Sequence, residues 1–265
     1  MTKVSLHRFF AIGPLPEHAV SDTALPLDAR DIHHLVHVLR IRNAERITLA
    51  GTDGREAEVS LTAVTADEVR GDIEEPVVRA PVPSVTLLQA LTKRERMELI
   101  VQKATELGVA EIVPVVTART IVKLDQGRAA RRVERWQRIA QESAKQSQRA
   151  TVPPVREPVP LAELPALFER FDAVLVPWEE EAGSAPGIGE ALRAAGVAPR
   201  ASASVAVVIG PEGGLEEAEV ALLTSRGAVT VSLGDTILRT ETAGIVAVAL
   251  AGYELGGLGN RAPRA

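Results

Sequence analysis

Cysteine is absent from this chain. That excludes disulfides, cysteine-ligated zinc, iron–sulfur clusters and a thiol nucleophile, and it fits a reducing, cytoplasmic setting. No apolar run approaches the roughly 20 residues of a membrane helix, so no span is expected. The opening MTKVSLHRFFAIGP has no apolar core before a small-residue cleavage site, so no signal peptide is expected either. A large excess of one charge is also lacking. The formal net charge is −5, so a nucleic-acid surface must be a local patch and not a global field. What the chain does have is apolar residues, 46 % of 265, enough for one large domain or two ordinary ones.

The first 75 residues read as mostly strand with one helix. Arg46–Ala50 and Glu56–Val64 alternate in strand fashion around the turn Gly51-Thr52-Asp53-Gly54, and Val69–Ile73 is a further short strand. Asp28–Leu39 is helical by the spacing of Ile32, Leu35, Val36 and Leu39. Several short strands with little helix suggest a small barrel-like module over residues 1–75. Residues 76–83 read as an extended, proline-rich linker.

From residue 84 to 265 strands and helices alternate, which argues for a parallel sheet. The expected strands are Val85–Leu91, Glu111–Val116, Ala173–Val176, Ser204–Ile209 and Ala228–Leu233. The expected helices run to Leu107, over Arg128–Arg149, Leu161–Arg170, Leu215–Ser225 and Glu241–Leu255. Thr92 and Glu95 have the spacing of a capping box. The last helix is almost wholly apolar and rich in small residues, so it must be buried in the core or across a subunit interface.

Two loops near the C-terminus carry the chemistry. IGPEGG, Ile209 to Gly214, follows a buried strand, where glycines let a backbone approach a ligand. Its spacing matches neither GxGxxG nor GxxxxGK[ST]. Glu212, Glu216, Glu217 and Glu219 would repel a phosphate, so the turn suits a ligand without one. The same acids also fit an ordinary helix start. LGDTILRTETAG, Leu233 to Gly244, places Arg239 and Glu241 two residues apart at a strand-to-helix junction, with Thr240 as an N-cap candidate. A structural Arg239–Glu241 ion pair is the plain alternative.

Basic residues concentrate on one helix: Arg128, Arg131, Arg132, Arg135, Arg138, Lys145 and Arg149. In an acidic protein that stripe suits RNA phosphates, although a solvated face explains it too. Lys93, Arg94 and Arg96 open a helix whose N-terminus disfavours cations, which suggests a functional demand. His33 and His37 have metal-binding spacing, but no third ligand is near and no metal is expected.

Taken together, QALTK, QKATELGV, AKQSQR, IGPEGGL and ILRTETA, with the N-terminal RFF and HHLVHVLR, resemble the bacterial enzymes that methylate N3 of a uridine in 16S ribosomal RNA. The resemblance covers nearly the whole chain. It implies an α/β SPOUT-class methyltransferase domain with a trefoil knot after a PUA-like β-barrel, a homodimer, S-adenosyl-L-methionine as donor and the small ribosomal subunit as partner. It implies a cofactor site at Ile209, Gly210, Pro211, Glu212, Gly213 and Gly214, at Leu233, Gly234, Ile237, Leu238, Arg239 and Thr240, and at Pro177 and Trp178. Arg239 would stabilise or orient charge, and Glu241 would be the base or would position Arg239. These roles could be shared with Lys93, Glu106 or Arg119. RNA contacts are expected at Arg8, His34, Arg40, Lys93, Arg94, Glu106, Arg119, Arg131, Arg135 and Lys145. One departure stands out: Thr236 occupies a position where such enzymes usually carry arginine. Two other readings share these features: a knotted enzyme acting on another base or a ribose hydroxyl, and a non-catalytic RNA-binding assembly factor.

Overall fold

Strand alternation in Arg55–Val64 buries Ala57, Val59 and Leu61 on one face, and the first sheet grows around that strand. The computed structural model describes residues 6–78, 82–120, 126–181, 183–200 and 202–259. The chain forms two compact units, residues 1–80 with 144–152, and residues 81–143 with 153–265.

The first unit holds β1 (His7–Phe10), β2 (Val20–Ala24), α1 (Ala29–His33), a π-helical segment His34–Val38, β3 (Arg46–Ala50), β4 (Arg55–Val64), β5 (Val69–Ile73) and β6 (Val77–Val78). The strand order is β1-β3-β4-β5-β2, with β6 on β4 and β1 parallel to β3. Asp28 caps α1 by accepting from the Asp31 amide at 2.7 Å. Phe9, Leu35, Ile47, Leu49 and Val59 form the core. The residues at 76–83 do not all behave as a linker. Val77 and Val78 pair with Glu56 and Arg55 as a strand, because β4 begins ahead of the residues that pair with β5 and offers its free edge as a ladder; residues 79–81 lie outside those described.

The second unit carries β7 (Ser84–Ala90), α2 (Arg94–Glu106), β8 (Glu111–Val116), α3 (Gln126–Gln146), β9 (Val159–Pro160), a 3-10 segment Leu161–Arg170, β10 (Ala173–Pro177), α4 (Ile188–Ala194), β11 (Ser204–Ile209), α5 (Glu217–Thr224), β12 (Val229–Val231) and α6 (Thr240–Glu254). Every pairing is parallel, in the order β12-β10-β11-β7-β8-β9. β7 and β11 are buried along their length, as a doubly covered sheet requires. α6 packs on α2, α4, β7 and β11 through Gly244, Ala247, Val248 and Ala251.

Residues 144–152 depart from the expected single C-terminal domain at 84–265. Ala144 packs with Phe10 and Ala50, and Lys145 pairs with Asp31, so the end of α3 and the turn after it belong to the first unit. The expected capping box at Thr92 does not form. Lys93 is the N-cap without a side-chain bond, and its amide points at Glu212 Oε1 over 3.4 Å.

Candidate active site

The C-terminal ends of β10, β11 and β12 lie side by side, where open parallel sheets hold their ligands. Three loops leave them and wall a cavity of about 440 Å³, within the range of roughly 300–1,000 Å³ for small-molecule sites. Pro177, Trp178 and Glu179 form the first wall. Ile209, Gly210, Pro211, Glu212, Gly214 and Leu215 form the second. The third is residues 231–240, including Leu233, Gly234, Ile237, Leu238, Arg239 and Thr240, and Ala243 and Arg96 close it. Gly213 is the exception among the expected cofactor positions: it is absent from the cavity wall, and its carbonyl accepts from Arg119 Nη1 at 2.8 Å.

Glycine is required here at two places. Gly214 has φ +72° and a Cβ on it would run into Glu179 Oε1, and Gly234 has φ +114°. Trp178 contributes an indole Nε1 that is buried and has no hydrogen-bond partner. Such a donor is costly unless a ligand meets it.

Charge around the cavity is mixed. Glu179, Glu212 and Asp235 line it with Arg96 and Arg239. The acids that crowd the next helix are otherwise employed. Glu216 is the N-cap of α5 and Glu219 closes its capping box, accepting from the Glu216 amide at 2.9 Å and from the Ala118 amide at 2.8 Å. Only Glu212 of that group faces the cavity, and Arg96 Nη1 donates to it at 2.9 Å.

Arg96, like Glu179 and Asp235, lines the cavity but was left out of the site by the sequence reading. Its Nε also lies 3.7 Å from Glu241 Oε1, while Glu241 Oε2 is buried without a hydrogen-bond partner. Glu241 is therefore held toward α2 and is not among the cavity-lining residues. The alternative of a structural Arg239–Glu241 ion pair is not formed among the described residues, and Arg239 is exposed. Arg239, not Thr240, is the N-cap of α6. Thr240 turns inward, where its hydroxyl donates to Gly210 O at 2.6 Å and accepts from Gln89 Nε2 at 3.1 Å. A signal was available for Arg96: it sits on the same helical turn as Lys93 and Arg94, which already looked out of place at a helix start.

Several expected RNA contacts are committed to ion pairs. Arg8 is clamped by both oxygens of Glu56 at 2.9 and 2.8 Å, with its side chain 6 % exposed. Lys145 is 10 % exposed, bonded to Asp31, and lies 6.0 Å from the Phe9 ring centre. Burial also lowers the Arg149 pKa to about 10. Arg135 is bound to Glu98 at 2.6 and 2.8 Å, and Arg94 reaches the same carboxylate at 3.1 Å. The Arg135 hydrogen bond holds Glu98 below the ordinary carboxylate range. Glu106 lies at the far end of α2, bonded to Lys103 at 2.9 Å, a helix length of about 18 Å from Arg94. Arg119 packs beside the second cavity loop, 3.5 Å from Glu216. Lys93, Arg40 and Arg131 remain exposed, Arg40 with a φ of 53°. His34 is half-buried against Phe9, with ring centres 6.4 Å apart. The Arg128 side chain lies outside the described residues. Among the described residues no group of three potential metal ligands is found, and no helix is long and apolar enough to cross a membrane.

The comparisons with known proteins agree with this geometry. Residues 78–252 match the RNA methyltransferase domain family and residues 27–74 match the RNA methyltransferase PUA domain. The chain is 37 % identical over 230 residues to the ribosomal RNA small subunit methyltransferase E of Bacillus subtilis, covering 86 % of this chain and 89 % of that protein. It is 35 % identical over 255 residues to the protein of the same name from Mycobacterium bovis, covering 92 % and 90 %. A crystal structure of ribosomal RNA small subunit methyltransferase E from Neisseria gonorrhoeae bound to S-adenosyl methionine superimposes with a TM-score of 0.78 at 30 % identity, covering 94 % of this chain and 97 % of that one.

The fold and the cavity thus define an RNA methyltransferase domain joined to a PUA domain. The chain belongs to the ribosomal RNA small subunit methyltransferase E family.

Proposed function

We propose that this protein transfers a methyl group from S-adenosyl-L-methionine to N3 of a uridine in 16S ribosomal RNA. The observation that carries the reading is the cavity at the ends of β10, β11 and β12, with no phosphate-binding motif, lined by carboxylates and close-approaching glycines. A sulfonium donor without phosphate fits that lining, and the buried Nε1 of the half-buried Trp178 offers it a donor. The relatives' names and the bound S-adenosyl methionine of the Neisseria structure support the same choice. Bound there, the cofactor supplies an electrophilic methyl group.

The chain's own residues prepare the acceptor. Uridine N3 is a nucleophile only once its proton has passed to solvent water, and the resulting anion spreads onto O2 and O4. Arg239, exposed at the cavity wall, is placed to stabilise that charge. Glu241 acts at one remove, as a positioning residue through Arg96. The exposed Lys93 and Arg131 hold RNA phosphates.

A homodimer belongs to this reading. Thr242, Val246, Ala249, Leu250 and Tyr253 form one stripe of α6, and Leu250 and Tyr253 are exposed in the single chain. The path that returns α6 from edge strand β12 to β11 and β7 supports the knotted topology. A cytoplasmic location follows from the ribosomal substrate. Equilibrium dialysis tests the cavity: saturable uptake of S-adenosylmethionine with none of ATP or NADH is expected, and the reverse preference would overturn the reading.

A further inference from the structure

β7 carries a glutamine into a strand whose neighbouring residues, Leu87, Leu88 and Ala90, are buried and apolar. Gln89 is fully buried. Its Nε2 donates to Ala90 O at 3.2 Å and to Thr240 Oγ1 at 3.1 Å. The Thr240 hydroxyl, having accepted that bond, gives its single proton to Gly210 O at 2.6 Å. One amide therefore ties β7, the first turn of α6 and the loop after β11 together. Gly210 and Thr240 line the cavity, and Gln89 does not.

The arrangement is expensive. Gln89 Oε1 is buried and has no hydrogen-bond partner, which costs the desolvation of a carbonyl with no return. Opposite it stands Gly244, where a Cβ would lie 2.6 Å from Oε1. Glycine inside a helix is a second cost. A leucine facing an alanine would carry neither, so stability alone does not account for the pair.

We propose that Gln89 is a positioning residue for the cofactor cavity. Through Thr240 it fixes the Gly210 carbonyl and the α6 N-terminus, so the cavity wall is in place before the ligand arrives. This rests on reading the cavity as an S-adenosylmethionine site. Preorganisation of that kind appears in cofactor affinity and not in the grip on RNA.

The test is calorimetric titration of S-adenosylmethionine into the full-length protein, with steady-state kinetics in both substrates. Gln89→Leu is expected to weaken cofactor binding about tenfold, leave the RNA KM unchanged and leave the thermal midpoint at or above the starting value. Thr240→Val is expected to weaken it equally, and the double variant no further, because both changes break one chain of bonds. A folded Gln89→Leu with unaltered affinity overturns the proposal, as do losses that add in the double variant. If Gln89→Leu does not fold, Gln89→Met, unbranched and of similar length but without the amide, decides: a tenfold loss supports the proposal and unaltered affinity overturns it. Failure of the unmodified protein to bind S-adenosylmethionine removes the cavity reading, and this proposal with it.

Discussion

Arg96 Nη1 donates to Glu212 Oε1 at 2.9 Å, joining α2 to the loop after β11. The same guanidinium reaches Glu241 in the first turn of α6 at 3.7 Å. Two of the three pieces around the cavity thus share one cation. Arg96→Ala should raise the cofactor dissociation constant about tenfold, or ~1.4 kcal/mol, with little change in thermal midpoint. Titration calorimetry reads it, and an unchanged constant would return Arg96 to the status of a surface ion pair.

Arg239 makes a separable contribution. Its side chain is free of ion pairs among the described residues and stands at the cavity. Arg239→Ala should lower kcat about 100-fold, the scale of removing one transition-state charge stabiliser, while the cofactor dissociation constant stays within about twofold. A raised dissociation constant with kcat unchanged would make Arg239 a cofactor-binding residue only.

The basic face of α3 divides in two. Arg131 is exposed and unpaired among the described residues, so Arg131→Glu should raise the RNA KM and flatten its salt dependence by about one counterion. Arg135 is bound to Glu98, so Arg135→Glu should instead lower stability by placing like charges together. Salt-dependent kinetics and urea titrations on both variants distinguish the two roles.

Acid should weaken the second unit through the carboxylates that guanidinium groups hold. The Arg135 hydrogen bond lowers the Glu98 pKa from its ordinary 4.5. At Glu111 burial raises the pKa, but the hydrogen bonds from Arg156 and Arg170 outweigh it and the net shift is downward. A carboxyl whose folded pKa is depressed contributes stability above its unfolded value and loses it as pH falls through the folded one. The urea midpoint difference between the natural chain and Glu98→Gln should therefore be full at pH 7 and shrink steadily below about 4.5. A difference independent of pH would mean that Glu98 acts by packing alone.

Much of this fold was legible from pattern. Val69–Ile73, Glu111–Val116 and Ser204–Ile209 are strands at the expected residues, the first because it alternates buried and half-buried positions between turns, the other two because short buried β-branched runs have few other uses. The glycine turns of the cavity were legible for the same kind of reason: a backbone at φ +72° or +114° needs glycine. What stayed hidden was partnership. Arg8 and Glu56 are 48 positions apart, and Lys145 and Asp31 are 114 apart, so a basic residue looked available for RNA when the fold had already neutralised it. Thr240 has the sequence of an N-cap, yet its hydroxyl serves Gly210. The end of α3 continues one helical period without a break, so nothing local signals that residues 144–152 belong with the first unit. β9 and α4 are too short to stand out from loop.

The most direct measurement is methyl transfer from labelled S-adenosylmethionine to unmodified small ribosomal subunits, with the product nucleoside identified by mass spectrometry. The account predicts N3-methyluridine, and its loss with Arg239→Ala. A different methylated nucleoside, or no transfer to either subunits or free 16S RNA by a protein that binds the cofactor, would contradict it.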